Sequence, residues 1–241
     1  MTLVAVAVIV FLAAVAQATT GFGYALIAVP LLTLATDPRT AVVGAALASL
    51  LLTVALATRE RASVRWRVTG WLLAASLVGM PVGLVILRYL PDRWLTALIA
   101  ATALCCTVLV WRRLRLSIGP VSVSCVGVVT GVLTTATGTN GPPLVAAFQA
   151  MGYDARTFRA TISAVFTGTG VLGLLGFFAA GQVTPSAAMV GLVGVPATAL
   201  GWFVGERAFR RFDEERFRGV VLGALVVICA VTLARAIWPA K

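Results

Sequence analysis

The chain has 241 residues, of which 60% are hydrophobic and only 11% are charged, against about 25% charged in an average soluble domain. This composition predicts an integral membrane protein. The formal net charge of +11 does not indicate nucleic-acid binding, because arginine in short connecting loops is what membrane orientation requires. The absence of histidine excludes histidine-ligated metal centres and Ser-His or Cys-His catalytic pairs.

Ten apolar segments follow one another along the chain. A helix needs about 20 residues to cross the hydrocarbon core, so the second segment of each half is too short to cross comfortably. Residues 3–18 lack the positively charged start of a signal peptide, and we interpret them as a mature membrane segment. The segments cover about residues 3–18, 24–35, 40–58, 69–88, 94–111, 119–136, 142–152, 158–180, 186–205 and 217–238.

Two glycine-rich stretches interrupt the apolar sequence, one before each short segment. The first is Thr20-Gly21-Phe22-Gly23-Tyr24-Ala25-Leu26, and the second is Thr137-Gly138-Thr139-Asn140-Gly141-Pro142-Pro143. Glycine and proline at this density cannot continue an α-helix. Backbone that leaves its helix at membrane depth must be buried by protein or line a wet cavity. The two breaks therefore predict two halves of one binding site.

The two halves of the chain resemble each other. Thr20-Gly21 recurs 117 positions later as Thr137-Gly138, and Asp37-Pro38-Arg39-Thr40 recurs at the same offset as Asp154-Ala155-Arg156-Thr157. We predict an N-terminal membrane repeat over residues 1–116 and a C-terminal one over 117–241, which form one membrane domain.

Counting the basic residues decides between two topologies. If each broken segment crosses once, the 19 Lys and Arg residues divide ten to nine between the two sides. If each enters and returns as a hairpin, with three crossings per half, the division is fourteen to five, as the positive-inside rule requires. An odd number of crossings also makes the repeats inverted, as in many secondary transporters.

The prediction is an all-α polytopic protein of two inverted repeats, each a re-entrant or broken-helix hairpin plus three transmembrane helices. Both termini then lie outside, and the loops in the cytoplasm are 59–67, 112–117, 153–159 and 205–218.

Each break starts a new half-helix, at about Tyr24 and Pro142. A helix N-terminus carries unpaired N–H groups and a partial positive charge, which suits an anion. The apolar segments hold no acidic residue in their middle, which disfavours a cation site or a proton relay. Asp37 and Asp154 are expected to cap the next helix. The candidate substrate-binding residues are Gln17, Thr19, Thr20, Gly21, Phe22, Gly23, Tyr24, Thr137, Gly138, Thr139, Asn140, Gly141 and Pro142.

The two breaks with their following motifs resemble the TauE/SafE-type sulfite exporter family, in the toluene-sulfonate uptake permease group. The first copy is Gly21-Phe22-Gly23-Tyr24-Ala25-Leu26-Ile27-Ala28-Val29-Pro30, followed by Asp37-Pro38-Arg39-Thr40-Ala41; the second is Gly138-Thr139-Asn140-Gly141-Pro142-Pro143-Leu144, followed by Asp154-Ala155-Arg156-Thr157. The resemblance covers essentially the whole chain. It implies transport of sulfite, sulfonates, sulfoacetate or related organic anions across the bacterial inner membrane. The family's break is typically three glycines in a row, parts of which are replaced here by Tyr24-Ala25 and by Asn140.

The functional prediction is an exporter of small sulfur-containing or organic anions that works by alternating access, with the lipid bilayer and an anion as its partners. Uptake of an organosulfonate and a non-transporting membrane scaffold are the alternatives. We expect no enzymatic activity, cofactor or metal, because no acid–base pair lies in the apolar segments and no Cys-x-x-Cys spacing occurs. The sequence leaves the oligomeric state open, with a homodimer as one option.

Overall fold

A computed structural model describes residues 3–20, 22–111, 120–209 and 223 of the chain. Within this part all regular structure is helical, which confirms the all-α polytopic class. A single 3-10 turn, Arg61–Ser63, connects the third and fourth helices. The helices are α1 Leu3–Thr20, α2 Tyr24–Ala35, α3 Pro38–Arg59, α4 Trp66–Tyr89, α5 Asp92–Trp111, α6 Pro120–Ala136, α7 Gly141–Ala150, α8 Ala155–Ala179 and α9 Pro185–Phe209.

The helices have the lengths that the apolar segments predict. In the described part of the chain, four are long and apolar enough to cross a membrane, and these are α3, α4, α8 and α9. The two helices that follow the breaks are short, with 12 residues in α2 and 10 in α7. The predicted segment 217–238 and the predicted loop 112–117 fall outside the described residues, except for residue 223.

Aspartates begin the two long helices that follow the short ones, as expected. The backbone N–H of Thr40 donates to Asp37 Oδ1 at 2.9 Å, and that of Thr157 donates to Asp154 Oδ2 at 3.2 Å. Each carboxylate thereby satisfies one of the N–H groups that a helix start leaves unpaired. The hydrogen bonds from Thr157 hold the pKa of Asp154 below its usual range. This cap therefore contributes its stability above the unperturbed aspartate pKa and loses it as the pH falls through the lowered value.

Helices α1, α3 and α9 run in the same direction. Gly44, near the start of α3, packs against Val190, near the start of α9. At the other end of the pair, Arg59 of α3 forms a 2.6 Å ion pair with Glu206 of α9. The end of α1 also lies beside the end of α9, because Ala18 packs against Gly205.

Helices α4, α6 and α8 run in the opposite direction. The N–H of Arg65, just before α4, donates to Thr161 Oγ1 in the second turn of α8 at 3.2 Å. Leu84, late in α4, packs against Gly176, late in α8. Helices α4 and α6 are likewise parallel to each other. The start of α3 lies beside the end of α4, where Arg39 Nε donates to the Leu87 carbonyl at 2.9 Å.

Most of the described arginines lie at one end of the bundle. Arg59 and Arg159 line one surface pocket there, with Glu60 and Glu206. At the opposite end, Arg39 forms an ion pair with Asp92 and donates to the Leu90 carbonyl at 2.8 Å. The orientation of these ends in the membrane stays a prediction.

Glycines allow the backbones of α4 and α6 to touch. A Cβ atom added at Gly79 would lie 2.1 Å from the carbonyl oxygen of Val128, and one at Gly131 would lie 2.1 Å from that of Ser76. Such close approach requires residues without a side chain, as in other helix pairs within lipid. The contact between α4 and α6 therefore depends on these glycines.

We expect Gly79→Ala to destabilise the protein by about 1–3 kcal/mol, because backbone atoms must move apart to admit the methyl group. Gly70→Ala is the matched control on the same helix, since a Cβ there meets nothing within 4 Å. Thermal denaturation in detergent should show a lower melting temperature for Gly79→Ala only. Equal melting temperatures would contradict the close α4–α6 contact.

Candidate functional site

A cavity of about 80 Å³ lies between the two helix breaks. It is bordered by the middle of α3, from Val42 to Thr53, and by Phe166 and Gly170 in the middle of α8. The starts of α2 and α7 both open onto it, with Gly23 and Tyr24 from the first break and Gly138 to Gly141 from the second. The cavity therefore lies at mid-height of two of the long helices.

The first break separates α1 from α2. Gly23 has a φ of 104°, in the left-handed region that favours glycine. The side chain of Tyr24, which begins α2, is 3% exposed, and its hydroxyl lies 3.2 Å from Thr198 Oγ1 in α9. This hydrogen bond attaches the start of α2 to the second half of the chain. The first N–H groups of α2 have no partner within the helix, and Tyr24 to Leu26 all border the cavity.

The second break is connected by side-chain hydrogen bonds. Gly138 has a φ of 69°. Thr137 Oγ1 lies 2.7 Å from Thr139 Oγ1, which donates to Thr102 Oγ1 in α5 at 3.4 Å. Asn140 precedes α7 but makes no side-chain cap with it. The hydroxyls of Thr137 and Thr139 thus attach the second break to Thr102 of α5.

Asn140 instead bridges two other helices. Its Nδ2 donates to Thr134 Oγ1 in α6 at 2.9 Å and to Thr169 Oγ1 in α8 at 3.2 Å. Both hydroxyls donate in turn to carbonyls of their own helices, at Thr130 and Val165. The amide therefore connects α6, α7 and α8 at the edge of the cavity.

Seven of the thirteen candidate residues line the cavity, and these are Gln17, Gly23, Tyr24, Gly138, Thr139, Asn140 and Gly141. Phe22, Thr137 and Pro142 are buried nearby without lining it. The side chains of Thr19 and Thr20, and the whole of Gly21, fall outside the described residues. Binding by these residues stays a prediction.

The structure adds polar and small residues that the sequence analysis did not select. Ser49 and Thr53 of α3, Thr134 of α6 and Gly170 of α8 line the cavity. Ser49 and Thr53 are four residues apart, which places them on one face of α3. The four-residue spacing in the sequence indicates a shared polar face on α3, but it does not indicate which helix or cavity that face contacts.

The cavity is neutral, since none of its described lining residues carries a charge. The two helix starts bring partial positive charges to it. They do not offer the same number of donors, because Pro142 and Pro143 in the first turn of α7 have no N–H. Among the described residues no group of three His, Cys, Asp or Glu could hold a metal ion. The arrangement suits a small anion, with more donors at α2 than at α7.

Comparison with known proteins identifies the family. The model of the sulfite exporter TauE/SafE family matches residues 6–232, which is almost the whole chain. The chain belongs to this family of membrane transporters. The chain is also 27% identical to the probable inner membrane transporter protein TsaS of Comamonas testosteroni. That match extends over 183 residues and covers 73% of this chain and 74% of the relative. No solved structure matches the chain.

The bond between Tyr24 and Thr198 joins the start of α2 to the opposite half of the chain. We expect Tyr24→Phe to cost about 1 kcal/mol of stability, since one buried hydrogen bond is lost. Thr198→Val should cost a similar amount. The double variant should melt close to the single ones, because both changes remove the same interaction. Fully additive losses in detergent melting curves would show that the two hydroxyls do not interact.

Proposed function

We propose that this protein transports small sulfur-containing anions across the bacterial inner membrane through the cavity between the two helix breaks. The observation that carries the proposal is that both breaks line one neutral cavity at mid-height of α3 and α8. Two helix N-termini directed at the same space favour negative charge without a fixed cation. An anion attracted in this way can leave again, as transport requires. The family match and the TsaS relative support the class of substrate.

Inverted repeats over residues 1–116 and 117–241 are part of the proposal. At the sequence offset between the halves, α1, α3 and α4 correspond to α6, α8 and α9. Each helix of the first set runs opposite to its counterpart in the second, as the contacts above indicate. The tight pairs α4–α6 and α1–α9 also correspond to each other. This arrangement supports alternating access, in which one half moves against the other around the cavity.

We propose export as the physiological direction, with both chain termini on the periplasmic side. The end of the bundle that carries Arg59 and Arg159 is then cytoplasmic by the positive-inside rule. A membrane potential of 100 mV, negative inside, contributes about 2.3 kcal/mol to the exit of a monovalent anion. That energy supports a gradient of roughly fortyfold without any coupled ion.

Transport is tested with purified protein in liposomes. We expect sulfite flux above that of empty liposomes, and a loss of about tenfold or more in Asn140→Leu, which removes the amide that connects α6, α7 and α8. Thr167→Val is the control, because Thr167 lies on α8 outside the cavity and donates to the Ser163 carbonyl. Wild-type protein without flux of sulfite, sulfoacetate or taurine would overturn transport and favour a scaffold.

Potential dependence is tested in the same liposomes. Loading sulfite inside and imposing a potassium diffusion potential, negative inside, should speed its exit several-fold over liposomes clamped at zero potential. Equal exit rates under both conditions would contradict uncoupled, charge-moving transport. Inward flux that persists against this potential and requires a second ion would indicate coupled uptake instead.

A further inference from the structure

The polar side chains around the cavity are almost all engaged within the protein. Tyr24 pairs with Thr198, and Thr139 pairs with Thr137 and Thr102. The hydroxyls of Ser49, Thr53 and Thr134 donate to carbonyls of their own helices, and Asn140 donates to two threonines. These groups therefore have few free donors for a ligand. The polar side chains that line the cavity are Gln17, Tyr24, Ser49, Thr53, Thr134, Thr139 and Asn140.

Gln17 is the exception. Its side chain is 2% exposed and lines the cavity, and it makes no hydrogen bond to any described residue. A buried carboxamide normally has all or most of its hydrogen bonds satisfied. Gln17 lies in the last turn of α1, and the residues that begin α2 border the same cavity. A carboxamide without a described protein partner, beside N–H groups that have no partner within their own helix, is available to donate to a ligand in the cavity.

Asn140 has a different role from Gln17. Both hydrogens of its amide nitrogen are directed to Thr134 and Thr169, and those hydroxyls use their own hydrogens on helix carbonyls. Asn140 is therefore a positioning residue that holds the second break in shape. The ligand-facing donor is on the side of α1 and α2.

The neutral lining also limits the charge of the ligand. The energy needed to move an ion out of water rises with the square of its charge, so a divalent ion costs about four times as much as a monovalent ion of the same size. Partial charges at two helix starts offset such a cost only in part. The volume of about 80 Å³ is roughly half of that in which a protein accommodates benzene. These two limits favour a compact, singly charged ligand.

We propose that Gln17 donates the selecting hydrogen bond to a compact, singly charged oxyanion at the start of α2, and that the cavity excludes doubly charged ions of equal size. This inference rests on the proposed transport function and specifies which charge state of the anion the site takes.

The test compares methanesulfonate with sulfate, which have the same number of non-hydrogen atoms and similar tetrahedral shapes but charges of −1 and −2. Dissociation constants are measured by calorimetry on purified wild-type protein, Gln17→Met and Gln17→Asn. Methionine keeps the length of the side chain without its donor, and asparagine keeps the donor on a shorter chain. Gln149→Met is the matched control, because Gln149 is exposed in α7 and does not line the cavity.

Wild-type protein should bind methanesulfonate at least about tenfold more tightly than sulfate. Gln17→Met should weaken methanesulfonate binding about tenfold or more, as expected for a lost hydrogen bond to a charged group. Gln17→Asn should give an intermediate value, and Gln149→Met should stay within about twofold of wild type. The comparison of the two ions on wild-type protein requires no variant and holds even if a variant fails to fold.

Equal affinities of wild-type protein for the two ions would overturn the charge selection. Unchanged methanesulfonate affinity in folded Gln17→Met would overturn the role of Gln17. In both cases sulfite flux through wild-type liposomes would leave the proposed transport function intact, whereas absence of flux and of all anion binding would remove that function itself.

Discussion

The central constraint on this protein is the backbone of two broken helices inside an apolar layer, where lipid cannot hydrogen-bond to free N–H and C=O groups. The surrounding helices supply what lipid cannot. α2 packs between α1, α3 and α5, while α7 packs between α5, α6 and α8. The space left between the two helix starts is the neutral cavity. The packing that encloses the two breaks therefore also forms the cavity.

The long helices form the frame that holds this arrangement. Glycines allow the backbones of α4 and α6, and those of α1 and α9, to come into contact. Each pair joins a helix of the first half of the chain to a helix of the second half. Charged groups remain at the two ends, where the Arg59–Glu206 and Arg39–Asp92 pairs connect different helices. These exposed pairs add little stability individually. They leave the interior free of fixed charge, so a bound anion meets only helix dipoles and hydrogen-bond donors.

Much of the fold follows from local sequence patterns. The lengths of the apolar segments predict α3, α4, α8 and α9 to within about four residues at each end. Glycine and proline predict both breaks, because their backbone chemistry acts locally. Asp37 and Asp154 predict the next helix starts for the same reason. The residues that line the cavity were harder to predict. Ser49, Thr53 and Thr134 are ordinary polar residues of membrane helices, and only the rotation of each helix in the folded structure decides that they face the cavity.

The sequence alone determined the class of the protein, the positions of its helices and the two places where the helices break, since these depend on hydrophobicity and on the conformational limits of individual residues. Only the tertiary structure decided which donors remain free. Gln17 and Asn140 carry the same carboxamide, but packing places two threonine hydroxyls beside Asn140 and none of the described partners beside Gln17. Hydrogen-bond satisfaction depends on residues far apart in the chain, and for that reason no local pattern distinguishes the two amides.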